Sequence, residues 1–395
     1  MNLVDAPAQP STAASAVRLG THRTLPPEET WNRLRPVLVT AGITRVADVT
    51  RLDDIGIPVW QAIRPNAANM SVSQGKGLTP MLARVSAAME AYELYCAEQA
   101  RPEAVVCAAA DLGGTLTYDP GRLVLRPHHL WLPPTRTAWL PAQDLLRGRQ
   151  TWVPADAVRV DLRVRHRWDP SDAYAVNSNG LASGNTLTEA TLHGMLEVVE
   201  RHSLAEAHAA GNGMWEDAVS VLPGRAGAAA TLLHAYADAE VTVQVADCTG
   251  SWGVPTFLAR IWSAGVPWWF SGSGTHPDAD VALSRALSEA AQSRLTAIAG
   301  ARDDLPFIAY GTGPVPSPLS RGRTLTSDGL IAAHHPPPTG RPALRDLDRD
   351  LAALLDAADA RRTTVLRADL TPVGMRLPAV RVIVPGARFA HGAWA

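Results

Sequence analysis

Between Ser178 and Ala205 the chain reads SNGLASGNTLTEATLHGMLEVVERHSLA: a Gly-rich polar loop running into a segment that only a helix accommodates well. Thr186 or Thr188 can cap that helix, and Glu189 falls in its first turn. With about 100° per residue, Glu189, Glu197 and Glu200 stand at about 0°, 80° and 20°, so one arc carries all three. Leu192, Met195, Leu196 and Val199 occupy other arcs and are free to bury. Carboxylates this close repel one another, so the stripe implies a divalent cation or a basic cluster facing it.

The arrangement recurs. SVSQGKG at Ser71–Gly77 reads as a second polar, glycine-bearing loop, leading into a helix over Pro80–Gln99 with Ser86, Glu90 and Glu93 on one face. A third helix is expected over Ala279–Ala299, after the Trp-rich VPWWFSGSGTHP. It carries Arg285, Glu289 and Gln292 at the same spacing, with Arg294 nearby. The central helix shows His193, Glu197 and Glu200 in this pattern. A helix N-terminus with preceding loop amides is an anion site. Glutamates converging from different helices form a cage for hard cations that still hold phosphate oxygens and water. Together these describe a nucleoside triphosphate site with more than one Mg2+, built without a Walker loop, since neither G-x-x-x-x-G-K-[ST] nor G-x-G-x-x-G is present.

Around these helices the chain alternates strand and helix patterns, which makes the expected class α+β (or α/β) with mixed sheets. Residues 1–25 are Ala/Ser/Pro-rich and read as a flexible leader; a small helical element follows at Pro27–Ala41. Short strands are expected within Gly42–Asn66, a β-rich stretch over 104–165, and paired strands at Val241–Asp247 and Thr256–Trp262. A Pro-rich loop is expected over about 314–345, then a helix over Leu344–Ala360 and strands at Thr363–Ala368 and Val380–Val384. The balance of 36 basic and 38 acidic residues gives no pull toward nucleic acid or an anionic membrane. No apolar run is long enough to span a bilayer. Three widely spaced cysteines form neither a disulfide framework nor a zinc site, so a reducing cytoplasm is the expected setting. His193 and His202 read as structural.

SNGLASGNTLTEATLHGMLEVVERHS resembles the signature of the YcaO family. GITRVADVTRLDDIGIPVWQAIRPN, SVSQGKGL and SAAMEAYE resemble its N-terminal portion, ALSRALSEAAQSRLTAIAGARDD its third helix, and DLTPVGMRLPAVRVIVPG its C-terminal part. The resemblance covers roughly residues 25 to 386 and implies one YcaO domain over 26–386, in one or two lobes, with a tail at 387–395. It implies a fold binding ATP and Mg2+ between glutamate-bearing helices and a sheet. Glu90 and Glu93 match the first metal-binding pair and Glu197 and Glu200 the second. Ser86, Asn185, Glu189, Arg201 and Lys76 match positions at the nucleotide. Glu289 and Gln292 fall in the third block, where Arg285 or Arg294 would add phosphate charge.

What the resemblance implies for activity is O-phosphorylation of a peptide backbone amide, followed by attack of a nucleophile on the amide carbon. A Cys, Ser or Thr side chain gives an azoline, sulfide a thioamide, an amine an amidine. The chain ends RFAHGAWA rather than in a PxPxP tail, and its opening resembles YcaO proteins that act with a TfuA partner, which puts thioamidation ahead of azoline formation. The expected partners are a ribosomally made precursor peptide and a separate TfuA-like or leader-binding protein; a homodimer is compatible with these. The other readings are a scaffold without ATP chemistry and an accessory factor for modifying a ribosomal protein.

Overall fold

The computed structural model describes residues 20–99, 104–163, 173–210, 215–300, 323–334 and 347–389. Among the described residues three sheets carry the fold. In the first, β1 (Arg45–Asp48), β2 (Val59–Ile63) and β3 (Val72–Lys76) form an antiparallel meander with Val59 opposite Lys76. The second has five strands, in the order Phe270–Thr275, Thr256–Trp262, Thr242–Asp247, Val219–Leu222 and Thr324–Thr326; only the last pairing is parallel. In the third, the strands Val105–Cys107, Thr137–Asp144, Leu366–Asp369, Ala379–Ile383 and Leu181–Ser183 follow one another, and Arg149–Pro154 pairs with Thr137–Asp144. Mixed helices and several sheets make the class α+β.

Each sheet delivers a strand straight into a long helix: β3 into α1 (Pro80–Gln99), Leu181–Ser183 into α2 (Leu187–Ala209), and Phe270–Thr275 into α3 (Ala279–Ala299). Here the expected polar loops are corrected. SVSQGKG is largely strand β3, and LAS within SNGLASGNT is an edge strand; FSGSGT, for which no element is expected, is another edge strand. Glycine carries little strand propensity, but β3 and Phe270–Thr275 need glycine for another reason. A Cβ on Gly75 would overlap the Ala87 nitrogen, one on Gly272 the Ala290 nitrogen, and one on Gly274 the Ala282 carbonyl. The facing helix positions Ala83, Ala87, Ala282, Ala286 and Ala290 are fully buried. Small residues on both sides let strand and helix backbones touch, which fixes the helix face that turns inward.

The caps agree with this placement. The Glu189 amide donates to the Thr186 hydroxyl at the start of α2 (3.1 Å), and the Asp280 amide donates to Asp278 at the start of α3 (3.0 Å). Three buried apolar clusters surround the helices: α1 packs with the first and third sheets, α3 with the second, and α2 with the third sheet and the helix Leu347–Ala360.

Most expected elements stand close to where the residue pattern put them. Residues 20–25 of the expected leader lie against α2 and α3, with the Ser284 hydroxyl donating to the Gly20 carbonyl and Thr24 bonded to Glu189. Most of the expected Pro-rich loop lies outside the described residues. Its described part holds the strand Thr324–Thr326 and the short helix Ser327–Ala332. No helix among the described residues is long and apolar enough to cross a membrane.

Candidate nucleotide and metal site

The inward faces of α1, α2 and α3 enclose a cavity of about 610 Å3. Ser86, Glu90 and Glu93 reach it from α1; Glu189, His193, Glu197 and Arg201 from α2; Arg285, Glu289 and Gln292 from α3. Lys76, at the end of β3, and Asn185, between strand and α2, complete this part of the lining. Residues as far apart as Lys76 and Glu289, 213 positions, therefore meet because three strand–helix units point their helices at one space.

The carboxylates divide by environment. Glu93 accepts the Ser183 amide and hydroxyl at 2.8 and 2.7 Å. Burial pushes its pKa up to about 8 against those bonds, with Glu90 and Glu197 adding to the rise. Burial also raises Glu197 to about 7; Arg201 opposes the shift and Glu200 adds to it. Buried carboxylates that ionise this reluctantly, on facing helices and with hard oxygen donors, fit a divalent cation, which would let both carry charge at neutral pH. Glu90, Glu93 and Glu197 are the residues placed to hold it.

Glu289 lies on the cationic side. Burial alone would raise it, but Lys76, which donates to its Oε2, and Arg201 hold it below the ordinary carboxylate range. Arg201 in turn is held cationic: burial opposes its charge, and Glu200, Glu289 and Glu197 outweigh that. Glu200 stands behind the cavity wall, accepting the Ser273 hydroxyl at 2.8 Å and pinning α2 to the strand before α3. It anchors the stripe without lining the cavity.

Arg294 does not reach the site. Its guanidinium donates to both Asp53 oxygens (2.8 and 2.9 Å) and to the Ser263 hydroxyl (2.7 Å), and the Arg294 and Asp53 side chains are only 4% and 3% exposed. This is a buried ion pair tying α3 to the loop after β1, and spacing alone does not separate that role from phosphate binding. Arg294→Ala strands Asp53 and should cost about 3–5 kcal/mol of stability in urea unfolding, with Mg2+·AMPPCP affinity unchanged.

Several residues at the site carry no local sequence signal. Glu189 accepts the Thr24 amide (3.0 Å) and hydroxyl (2.5 Å), Arg23 at 3.5 Å and Asn185 at 3.3 Å. The Thr30 hydroxyl donates to Asn185 at 3.1 Å. Arg23, Thr24 and Thr30 thus belong to the site although more than 150 residues separate them from α2. Arg381, held by Asn177 and lowered to about 10 by burial despite Glu197, acts on Glu197 by its charge without lining the cavity. The His22–His276–Asp350 group brings its ligand atoms within 4.8 Å of one another, yet His276 Nδ1 already accepts the Asp278 amide at 2.9 Å. That leaves His276 poorly suited to ligation.

The sequence profile of YcaO cyclodehydratases, described as ATP- and Mg2+-binding, matches residues 74–388. An uncharacterised protein from Mycobacterium tuberculosis is 46% identical over 303 residues, 77% of this chain and 68% of that protein. A Rhizobium leguminosarum bv. trifolii protein described as lying in the tfuA 3′ region is 33% identical over 385 residues, 92% of this chain and 88% of its own. Among solved structures, YcaO from Methanopyrus kandleri bound with AMPPCP and Mg2+ is similar with a TM-score of 0.67 and 24% identity, over 95% of each chain. A heterocyclase in complex with substrate and cofactor gives a TM-score of 0.69 and 21% identity over 97% of this chain. The chain spans 55% of that heterocyclase's length.

Proposed function

Because this chain belongs to the YcaO family of ATP- and Mg2+-binding proteins, we propose that it activates backbone amides of a ribosomally made peptide by O-phosphorylation, giving a thioamide or an azoline. The observation that carries this reading is the mixed charge of the cavity: the carboxylates Glu90, Glu93 and Glu197 line it together with the cations Lys76, Arg201 and Arg285. A triphosphate with its counter-cations fits that mixed charge. Glu93, fixed by Ser183, and Glu197 would hold Mg2+, which when bound offsets charge on the phosphate oxygens. Arg201, Lys76 and Arg285 would hold and orient the phosphates, so the chain's share of catalysis is positioning and charge neutralisation. The amide oxygen attacks the terminal phosphorus, ADP leaves, and a nucleophile adding to the carbon expels the oxygen as phosphate.

Thioamidation stands ahead of azoline formation in this reading, supported by the sequence pattern and by the tfuA-region relative. A TfuA-like partner and cytoplasmic action belong to the same proposal. The test is intact-mass spectrometry of a candidate precursor peptide incubated with the protein, its partner, ATP, Mg2+ and sulfide. Exchange of one oxygen for sulfur is the expected result; loss of one water would reverse the order. An unchanged peptide under continued ATP turnover would count against peptide modification and favour the accessory role.

A further inference from the structure

His193 stands one turn from both Glu189 and Glu197 on α2 and lines the cavity. Its Nε2 lies 3.5 Å from both terminal nitrogens of Arg285. A guanidinium has no lone pair to offer, so Nε2 must be the acceptor and the ring hydrogen sits on Nδ1. That Nδ1 is buried with no hydrogen-bond partner among the described residues, and so is Arg285 Nε. Among the described residues Arg285 also has no carboxylate within ion-pair distance. Two buried N–H donors without acceptors cost free energy unless a ligand supplies oxygens.

The surrounding charge says which ligand. Arg285 from α3, Arg23 from the segment before Pro27, Lys76 from the end of β3 and His276 from the loop before α3 all act on the ring. Burial and these groups hold the imidazole well below its ordinary pKa, so it is neutral at physiological pH. Glu189 and Glu197 flank it along its own helix. A neutral donor among cations suits an oxyanion, and the terminal phosphoryl group is the part of a nucleoside triphosphate that carries most charge.

We propose that His193, as the Nδ1–H tautomer, and Arg285 form the subsite for the terminal phosphoryl oxygens of the nucleotide, with His193 as a neutral donor. This rests on the triphosphate reading of the cavity and adds to it a residue whose position on the helix first suggested a structural role. Nδ1–H gives one bond to a phosphoryl oxygen and Arg285 Nε–H gives another, while the terminal nitrogens of Arg285 stay on His193 Nε2 and keep the ring hydrogen on Nδ1.

The test compares nucleotides by calorimetry in Mg2+. His193→Ala should weaken AMPPCP about tenfold, equivalent to roughly 1.4 kcal/mol, and leave AMP unchanged, because AMP lacks the terminal group. His193→Gln, whose amide supplies a neutral donor, should stay within about threefold of wild type. Long-range 1H–15N spectra should show the Nδ1–H tautomer of His193 before and after AMPPCP is added. Equal weakening of AMP and AMPPCP, no weakening of either, or an Nε2–H tautomer would overturn the assignment while leaving the cavity a nucleotide site. Failure of wild type to bind AMPPCP would remove both.

Discussion

Glu197→Gln should abolish Mg2+-dependent nucleotide binding and ATP turnover while the metal-free protein melts at the same temperature or higher. The two effects separate because one carboxylate is being asked to do opposite things. In the empty cavity its charge is disfavoured by burial, which is why its pKa stands at about 7. Glutamine keeps the volume and removes that charge, so folding loses nothing and gains the desolvation term at neutral pH and above. With Mg2+ the same charge is a ligand. Mutating even outer-shell partners of metal ligands lowers affinity by about 10–100-fold, so losing a direct ligand should exceed roughly 100-fold. Calorimetry with AMPPCP and thermal melts on the same preparation measure both. Turnover persisting in the variant, or a collapse of its melting temperature, would reassign Glu197 as a structural residue.

The second large effect is on pH. Folding raises Glu93 from an ordinary carboxylate value of 4.5 to about 8, and Glu197 from 4.5 to about 7. Within that window the native state holds protons that the unfolded chain has released, so metal-free stability falls as pH rises through it. His193 works on the other side: its ring is held neutral, so stability falls as pH drops below the ordinary histidine value of 6.5. Melting temperature without metal should therefore decline from about pH 6 to 8. Mg2+ affinity should rise over the same span, because each ligand must lose its proton before it coordinates, by up to about tenfold per pH unit for each proton released. A metal-free melting curve that rises from pH 6 to 8, or Mg2+ affinity independent of pH, contradicts this electrostatic account. Glu197→Gln should flatten both profiles.

The helices and their inward faces were legible because their signal is local. An i, i+4, i+7 set such as Ser86, Glu90 and Glu93 can share a face only on a helix, so Pro80–Gln99 and Ala279–Ala299 are observed with the bounds the pattern gave. The strands SQGK and FSGSGT were not legible, because their glycines answer to a helix backbone that sequence order does not reveal. The arc of α2 placed Glu189, Glu197 and Glu200 together, yet the structure gives them three environments: an anchor for Arg23 and Thr24, a cavity carboxylate, and a tie to Ser273. Spacing sets direction, while neighbours 73 to 166 residues away set what lies there. Arg294 shows the converse, a cation near the right face whose donors are taken by Asp53 and Ser263.

The most direct measurement labels the peptide rather than the protein. A precursor peptide carrying 18O in the backbone carbonyl of the modified residue, incubated with the protein, its partner, ATP, Mg2+ and the nucleophile source, should yield inorganic phosphate containing that 18O, in step with product formation. Modified peptide accompanied by unlabelled phosphate would mean that the amide oxygen never meets the terminal phosphoryl group, and would contradict activation by O-phosphorylation in this cavity.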